Sequence, residues 1–176
     1  MAQDSNYVTV DGEFDSLEDR SFLTMDDYDL SGQNVILRID INSSINPENG
    51  DLLDDTRIRR HSATVKELSD NNARVIVLAH QSRPGKLDFV NLENHGKRMS
   101  QIINKEVRFV DDLYGDKAIK EISNLKNGDI ILLDNVRFDK EEIELSQFTD
   151  NNFKLQKNSE MVKKLSPHAS YFINDA

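Results

Sequence analysis

Positively charged and hydrogen-bonding side chains follow directly after four separate apolar runs of this sequence. Arginine presents a planar fork of donors that suits phosphate or carboxylate oxygens. If the four runs are parallel strands of one sheet, their carboxyl ends lie along one edge, where open α/β sheets bind ligands. The pattern therefore predicts an anion-binding site at that edge. The runs are VILRI before Asp40 and Asn42, VIVLA before His80 and Arg83, IILL before Asp134 and Arg137, and YFI before Asn174 and Asp175.

The segments between these runs are long enough for the helical crossovers that join parallel strands. A further run, VRFV at 107–110, is also predicted to be a strand. Because helices would then cover both faces of the sheet, the sequence predicts an α/β fold: a three-layer α/β/α sandwich with a mainly parallel, Rossmann-like sheet. Apolar residues at helical spacing predict helices over 53–71, 92–104, 117–125 and 159–165, whereas the polar segment 147–157 is predicted to be a loop.

The composition excludes several classes of protein. With 176 residues, 37% of them apolar, the chain has the size of one well-packed domain. The absence of cysteine excludes disulfides and thiolate metal sites. A net charge of -10 argues against a nucleic-acid partner. No apolar stretch approaches the roughly 20 residues of a membrane span, and the N-terminus lacks the features of a signal peptide. We therefore expect a cytoplasmic protein with no membrane partner.

The acidic charge is concentrated at the start of the chain. Residues 1–32 contain nine acidic side chains against Arg20 alone, which gives this segment a charge of -8. We predict that residues 1–32 are an acidic extension, either partly ordered with a hairpin at VTVDGEF or disordered, and that 33–176 form the α/β domain. The near-neutral domain leaves its arginines free to build a local positive site.

Some of the cations are harder than others to explain as solvated surface residues. Arg57 lies in the first turn of a predicted helix, where the helix dipole disfavours a cation unless an anion is bound there. His80 and Arg83 enter a loop that Pro84-Gly85 keeps out of helix, and Arg137 follows another strand end. By contrast, the acidic stretch DKEE at 139–142 is interpreted as a charged surface turn. Arg38 interrupts an apolar run, which indicates a strand near an edge or a side chain directed toward a partner.

Known fingerprints of nucleotide and metal sites are missing from the sequence. Neither G-x-x-x-x-G-K-[ST] nor G-x-G-x-x-G occurs, and no serine elbow occurs. The four histidines, His61, His80, His95 and His168, show no paired metal spacing, so no metal site is predicted.

Five segments resemble the signature segments of the N-terminal domain of the phosphoglycerate kinase family. They are RIDIN, LDDTRI, AHQSRP, LDNVRF and YFINDA, and they occur in the same order and with similar spacing. The resemblance runs from about Thr24 to Ala176. We call the loop that follows VIVLA and contains His80, Ser82 and Arg83 the His loop. In bacterial and eukaryotic members a glycine usually stands where this chain has Ser82, so the His loop is more similar to that of the archaeal branch.

The resemblance implies a site for 3-phosphoglycerate or the 1,3-bisphosphate. Asp40 and Asn42 would hold the glycerate hydroxyl and neighbouring oxygens, and Arg57 would contact the carboxylate and act as the catalytic residue that steadies the phosphoryl group. His80, Arg83 and Arg137 would bind the phosphate that is not transferred. The full set of implied substrate-binding residues is Asp40, Ile41, Asn42, Arg57, His80, Gln81, Ser82, Arg83 and Arg137.

The resemblance also implies a second domain that binds Mg-ATP or Mg-ADP, so that the full-length enzyme transfers a phosphoryl group reversibly in glycolysis and gluconeogenesis. That nucleotide domain is absent from this sequence. We therefore expect a truncated N-terminal half with no bound cofactor and no kinase activity of its own. The alternative is a non-catalytic α/β module. A receiver-like domain fits poorly because Asn42 stands where a second acid is needed, whereas an anion-binding module remains open.

Overall fold

A computed structural model of the protein describes residues 24–145 and 150–176, with backbone alone for residues 150–153. The hairpin predicted at VTVDGEF lies outside the described residues. Of the acidic extension, residues 24–32 are described; they include a short 3-10 turn at Met25–Asp27. Leu30 is 6% exposed and packs into the core, although it precedes residue 33, where the sequence places the start of the α/β domain.

The described residues contain one sheet of five strands, all parallel to their neighbours. The strands are β1 (Asn34–Ile39), β2 (Arg74–Leu78), β3 (Val107–Val110), β4 (Ile130–Leu133) and β5 (Tyr171–Asp175). Their order across the sheet is β3-β4-β2-β1-β5. All five runs that the sequence predicted as strands are therefore confirmed. β1, which carries Arg38, pairs with β2 on one side and with the edge strand β5 on the other.

Helices cover both faces of the sheet, so the predicted three-layer α/β fold is confirmed. The helices are α1 (Thr56–Asp70), α2 (Glu93–Ile103), α3 (Asp116–Ser123), α4 (Lys140–Glu144), α5 (Asp150–Lys157) and α6 (Glu160–Leu165). Successive strand residues alternate between two cores, as the pleat requires. Leu37 and Val77 pack with α1 and α2 on one face, whereas Ile36 and Ile76 pack with α3 and α6 on the other.

Two expectations about local structure were wrong. The segment predicted as a loop at 147–157 contains helix α5 over Asp150–Lys157. Tertiary contacts support this polar helix, because α5 packs against α6 and Gln156 Nε2 donates to the carbonyl oxygen of Leu145. The DKEE segment is not a surface turn. Asp139 accepts a hydrogen bond from the amide nitrogen of Glu141 at 2.9 Å and caps helix α4.

None of the helices in residues 24–145 and 150–176 has both the length and the apolarity needed to cross a membrane.

Candidate functional site

The carboxyl ends of β1, β2 and β4 open onto one edge of the sheet. Arg38 in β1 pairs in register with Leu78 in β2, and Val77 pairs with Leu132 in β4. The loops that follow these strands therefore lie side by side. We call the group formed there by Arg38, Arg57, His80 and Arg137 the basic edge. The two members that lie farthest apart in the sequence, Arg38 and Arg137, are separated by 99 positions.

His80 lies at the centre of the basic edge. Burial lowers the pKa of His80 to about 4, and three nearby positive charges add to the effect. In order of size, these charges belong to Arg137, Arg38 and Arg57. Arg38 Nη2 lies 3.4 Å from His80 Nδ1. Because a guanidinium can only donate, this contact requires an unprotonated Nδ1 and assigns the proton of the neutral ring to Nε2. At neutral pH, His80 is thus an uncharged donor surrounded by cations.

Asp40 and Arg57 form an ion pair at the start of α1. Arg57 Nη1 donates to Asp40 Oδ2, and Asp40 Oδ1 accepts a hydrogen bond from the amide nitrogen of Asn42 at 3.0 Å. Half of the Arg57 side chain is exposed, at 52%. An exposed pair of this kind is weak, so the arginine can exchange its partner for a bound anion at little energetic cost.

The His loop is fastened to the neighbouring strand ends through Ser82. The Ser82 amide nitrogen donates to Asn42 Oδ1 at 2.8 Å, and its carbonyl oxygen accepts from Arg137 Nη1. Ser82 has a φ of +55°, a left-handed conformation that favours glycine. Its hydroxyl group donates to Asp88 Oδ1 at 2.6 Å, which offsets part of that strain. Ser82 therefore helps to fix where the Arg137 guanidinium lies.

A buried polar network supports the His loop from below. Gln81 is fully buried; its Nε2 donates to the carbonyl oxygen of Ser43 at 2.9 Å, and its Oε1 accepts from the Ser43 amide nitrogen at 2.9 Å. His95 Nε2 lies 3.1 Å from the same Oε1. Asn135 Oδ1 accepts from the amide nitrogens of Gln81 and Arg137, both at 3.2 Å. These bonds join the ends of β1, β2 and β4.

Three of the residues predicted from the sequence have side chains that make no hydrogen bond or ion pair with the described residues of the basic edge. The side chains of Ile41 and Gln81 are 0% exposed, so neither side chain can contact a ligand at the surface. Arg83 lies in the loop beyond Ser82, where its side chain is exposed and makes no hydrogen bond or ion pair to any described residue. The side chains of Ile41 and Gln81 thus lie in the interior, and no hydrogen bond or ion pair among the described residues joins the Arg83 side chain to the basic edge.

Two of the acidic residues at strand ends, Asp134 and Asp175, bind neighbouring helices and do not belong to the basic edge. Asp134 Oδ1 accepts from the amide nitrogen of Leu92, at the start of α2, at 3.2 Å, and burial raises the pKa of Asp134. Asp175 Oδ2 lies 3.0 Å from His61 Nδ1 and accepts from Thr64 Oγ1 at 2.8 Å, which ties the edge strand β5 to α1. These acids fasten helices to the sheet.

The sequence analysis missed Arg38 and Glu142 as parts of this site. Arg38 Nη2 contacts His80 and also lies 3.5 Å from Glu142 Oε1. The signal for Arg38 was a cation within a buried strand, whose register places it beside the loop after β2. The only signal for Glu142 was its place in the acidic stretch DKEE, which the sequence analysis interpreted as a charged surface turn. Neither signal indicated that the two residues contact each other.

An anion bound at the basic edge is expected to raise the pKa of His80. The bound charge offsets the positive field that lowers this pKa, and it accepts a hydrogen bond from the protonated ring. His95 is a matched control, because burial alone lowers its pKa to about 4. We expect an NMR titration with sulfate to move the pKa of His80 upward and to leave that of His95 unchanged. Equal shifts of both histidines, or none, would contradict an anion site at this edge.

The described residues contain no group of three or more histidine and acidic side chains arranged to hold a metal ion. The basic edge consists of three arginines and a neutral histidine, and the acids beside it, Asp40 and Glu142, are paired with Arg57 and Arg38. This donor set suits an anionic ligand.

Comparisons with known proteins agree with this geometry. A family model described as phosphoglycerate kinase matches residues 25–176. Over 155 residues the chain is 51% identical to the phosphoglycerate kinase of Methanothermus fervidus and 48% identical to that of Methanothermobacter thermautotrophicus. These alignments cover 88% of this chain but only 37% and 36% of the two relatives. The chain thus spans little more than a third of the length of these curated relatives.

Solved structures give the same result. Phosphoglycerate kinase from Pyrococcus horikoshii matches with a TM-score of 0.81 and 28% identity, covering 88% of this chain and 36% of that one. The enzyme from Coxiella burnetii matches with a TM-score of 0.68 and 28% identity, covering 89% and 36%. The resemblance noted in the sequence, including its likeness to archaeal members, is confirmed. The match over residues 25–176 shows that this chain belongs to the phosphoglycerate kinase family.

Proposed function

We propose that this chain binds 3-phosphoglycerate, or the corresponding 1,3-bisphosphate, at the basic edge. It would form the acid-binding part of a phosphoglycerate kinase that transfers a phosphoryl group reversibly between this substrate and Mg-ADP or Mg-ATP. The convergence of Arg38, Arg57 and Arg137 around a neutral His80 carries the proposal, because several positive charges and a hydrogen-bond donor at one place favour binding of an anion. Family membership adds the identity of the anion.

The roles proposed for the residues follow from what each can donate or accept. Arg57 leaves Asp40 and binds the substrate carboxylate, which frees Asp40 to accept a hydrogen bond from the glycerate hydroxyl group. Asn42 contacts neighbouring oxygens from the same loop. This exchange replaces one exposed ion pair by another, so binding does not require an unpaired charge to be buried.

The phosphate that is not transferred would lie against His80 and Arg137, with Arg83 closing over it from the loop. Arg137 is already held by the Ser82 carbonyl oxygen, so little side-chain entropy is lost when it binds. His80 contributes its Nε2 proton as a neutral donor. Backbone groups near Ile41, Gln81 and Ser82 remain proposed contacts, since the side chains of Ile41 and Gln81 point into the interior.

In the proposed phosphoryl transfer, this chain would position the substrate and stabilise the negative charge of the transferring group. A carboxylate is already ionised at neutral pH, so its attack on a phosphoryl group needs no general base. Phosphoryl transfer relies mainly on alignment and on cations that stabilise the transferring group, which is the role proposed for Arg57. Mg-ATP or Mg-ADP would supply or accept that group from a nucleotide domain outside this chain, and the chain alone would be inactive. We expect the enzyme to work in the cytoplasm.

Titration of the chain with 3-phosphoglycerate, followed by NMR, tests this function. We expect resonances of Asn42, His80 and Arg137 to shift with the acid and to stay unchanged with ATP. Glycerate, which lacks the phosphate, should bind much more weakly, because it loses the contacts to His80 and Arg137. Shifts of the same residues with ATP, or none with 3-phosphoglycerate, would refute the proposal. Equal binding of sulfate and 3-phosphoglycerate would favour a simple anion-binding module instead.

A further inference from the structure

The short helix α4 places the acidic side chain of Glu142 beside Arg38 of the basic edge. Glu142 Oε1 lies 3.5 Å from Arg38 Nη2, and the Glu142 side chain is 37% exposed. Burial raises the pKa of Glu142, whereas the charges of Arg38 and Arg137 act in the opposite direction. The remaining charge that acts on Glu142 belongs to Asp139. The Glu142 carboxyl group therefore lies within electrostatic range of two cations of the site.

Arg38 connects this carboxylate to His80. A single atom, Arg38 Nη2, contacts both Glu142 Oε1 and His80 Nδ1. The Arg38 side chain is only 21% exposed, and its buried Nη1 has no hydrogen-bond partner among the described residues. A guanidinium that is buried and partly unsatisfied needs a nearby counter-ion, and Glu142 is the acid that pairs with it.

We propose that Glu142 is a built-in counter-anion of the basic edge, which holds Arg38 against His80 and limits how tightly the site binds an anionic ligand. The identity of that ligand as 3-phosphoglycerate rests on the proposed function. Glu142 offsets part of the positive potential that attracts the ligand while keeping the empty site stable. A reversible enzyme benefits from this arrangement, because a substrate that binds too tightly is released slowly.

The alternative is that Glu142 serves only to fasten α4 to the sheet. The two roles differ in the sign of one effect. If Glu142 only stabilises the fold, neutralising it lowers the free energy of unfolding and leaves anion affinity unchanged or weaker. If Glu142 is a counter-anion, neutralising it increases anion affinity, because Arg38 and Arg137 then act on the ligand alone.

Glu142→Gln tests the proposal, with Glu144→Gln as its matched control. Glutamine keeps an oxygen that can accept from Arg38 and removes the charge. Glu144 lies on the same helix, is exposed and pairs with no residue in the described part of the chain. Sulfate is a suitable probe because its charge is constant where carboxyl groups titrate. We expect Glu142→Gln to bind sulfate roughly fivefold more tightly than the unchanged chain, and Glu144→Gln to change affinity far less.

A second measurement needs no substitution. By reciprocal coupling, an anion that Glu142 repels must raise the pKa of Glu142 when it binds. Carbon-13 NMR of the Glu142 carboxyl group, with and without sulfate, should show that rise. An unchanged pKa, or equal sulfate affinities for Glu142→Gln and Glu144→Gln, overturns the proposal. If both sulfate results hold but 3-phosphoglycerate binds no better than sulfate, the proposed function fails and the role of Glu142 stands.

Discussion

Replacing Arg137 with alanine is expected to weaken binding of 3-phosphoglycerate by roughly 30- to 100-fold. Arg137 is partly buried, and its guanidinium group is held by the Ser82 carbonyl oxygen. Of the three arginine charges that lower the pKa of His80, that of Arg137 has the largest effect. The substitution therefore removes a preorganised, charge-assisted contact from a site that is partly shielded from water. Isothermal titration calorimetry at fixed ionic strength measures the loss.

The same substitution at Arg83 should have a much smaller effect. The Arg83 side chain is exposed and makes no hydrogen bond or ion pair with any described residue, so holding it in one conformation over the ligand loses side-chain entropy. We expect Arg83→Ala to weaken binding by at most about fivefold. Arg59→Gln controls for net charge, because Arg59 is an exposed cation on α1 that pairs with Asp55. Equal losses for Arg83→Ala and Arg137→Ala would contradict the difference in preorganisation.

The sequence predicted the sheet well because buried parallel strands leave a direct signal. VIVLA and IILL are apolar at every position, as strands covered on both faces must be, and both became central strands. The same signal placed the basic residues that follow these strands, His80 and Arg137, at one edge of the sheet. Helix α5 was missed because its sequence is polar, and the contacts that support it come from α6 and Leu145.

The interior of the site could not be predicted in the same way. Gln81 and Arg83 lie two residues apart in one loop, yet one is fully buried and the other exposed. The left-handed turn at Ser82 separates their directions, and spacing alone does not reveal that turn. The pairing of Arg38 with Glu142 depends on how α4 packs, 104 positions further along the chain. Such contacts are set by tertiary structure, so the sequence showed the charges without their partners.

The shape of the basic edge depends on Asn135, and Asn135→Ala is expected to lower the free energy of unfolding by about 3–5 kcal/mol. Asn135 is fully buried. Its Oδ1 accepts from the backbone of Gln81 and Arg137, and its Nδ2 donates to the carbonyl oxygens of Gln81 and Val90 at 2.8 and 3.0 Å. Alanine would leave four backbone groups without this partner where water has little access. Urea unfolding followed by circular dichroism measures the change.

Asn91→Ala is the matched control for this prediction. Asn91 is exposed, and its Oδ1 accepts a single hydrogen bond, from the amide nitrogen of Glu93 at 3.2 Å, so its loss should change stability by about 1 kcal/mol or less. Sulfate affinity supplies a second comparison. Because Asn135 fixes the backbone of Arg137 and the loop that carries His80, Asn135→Ala should also weaken anion binding, whereas Asn91→Ala should not. If Asn135→Ala were as stable as Asn91→Ala, the strand ends would be held together by something other than this amide.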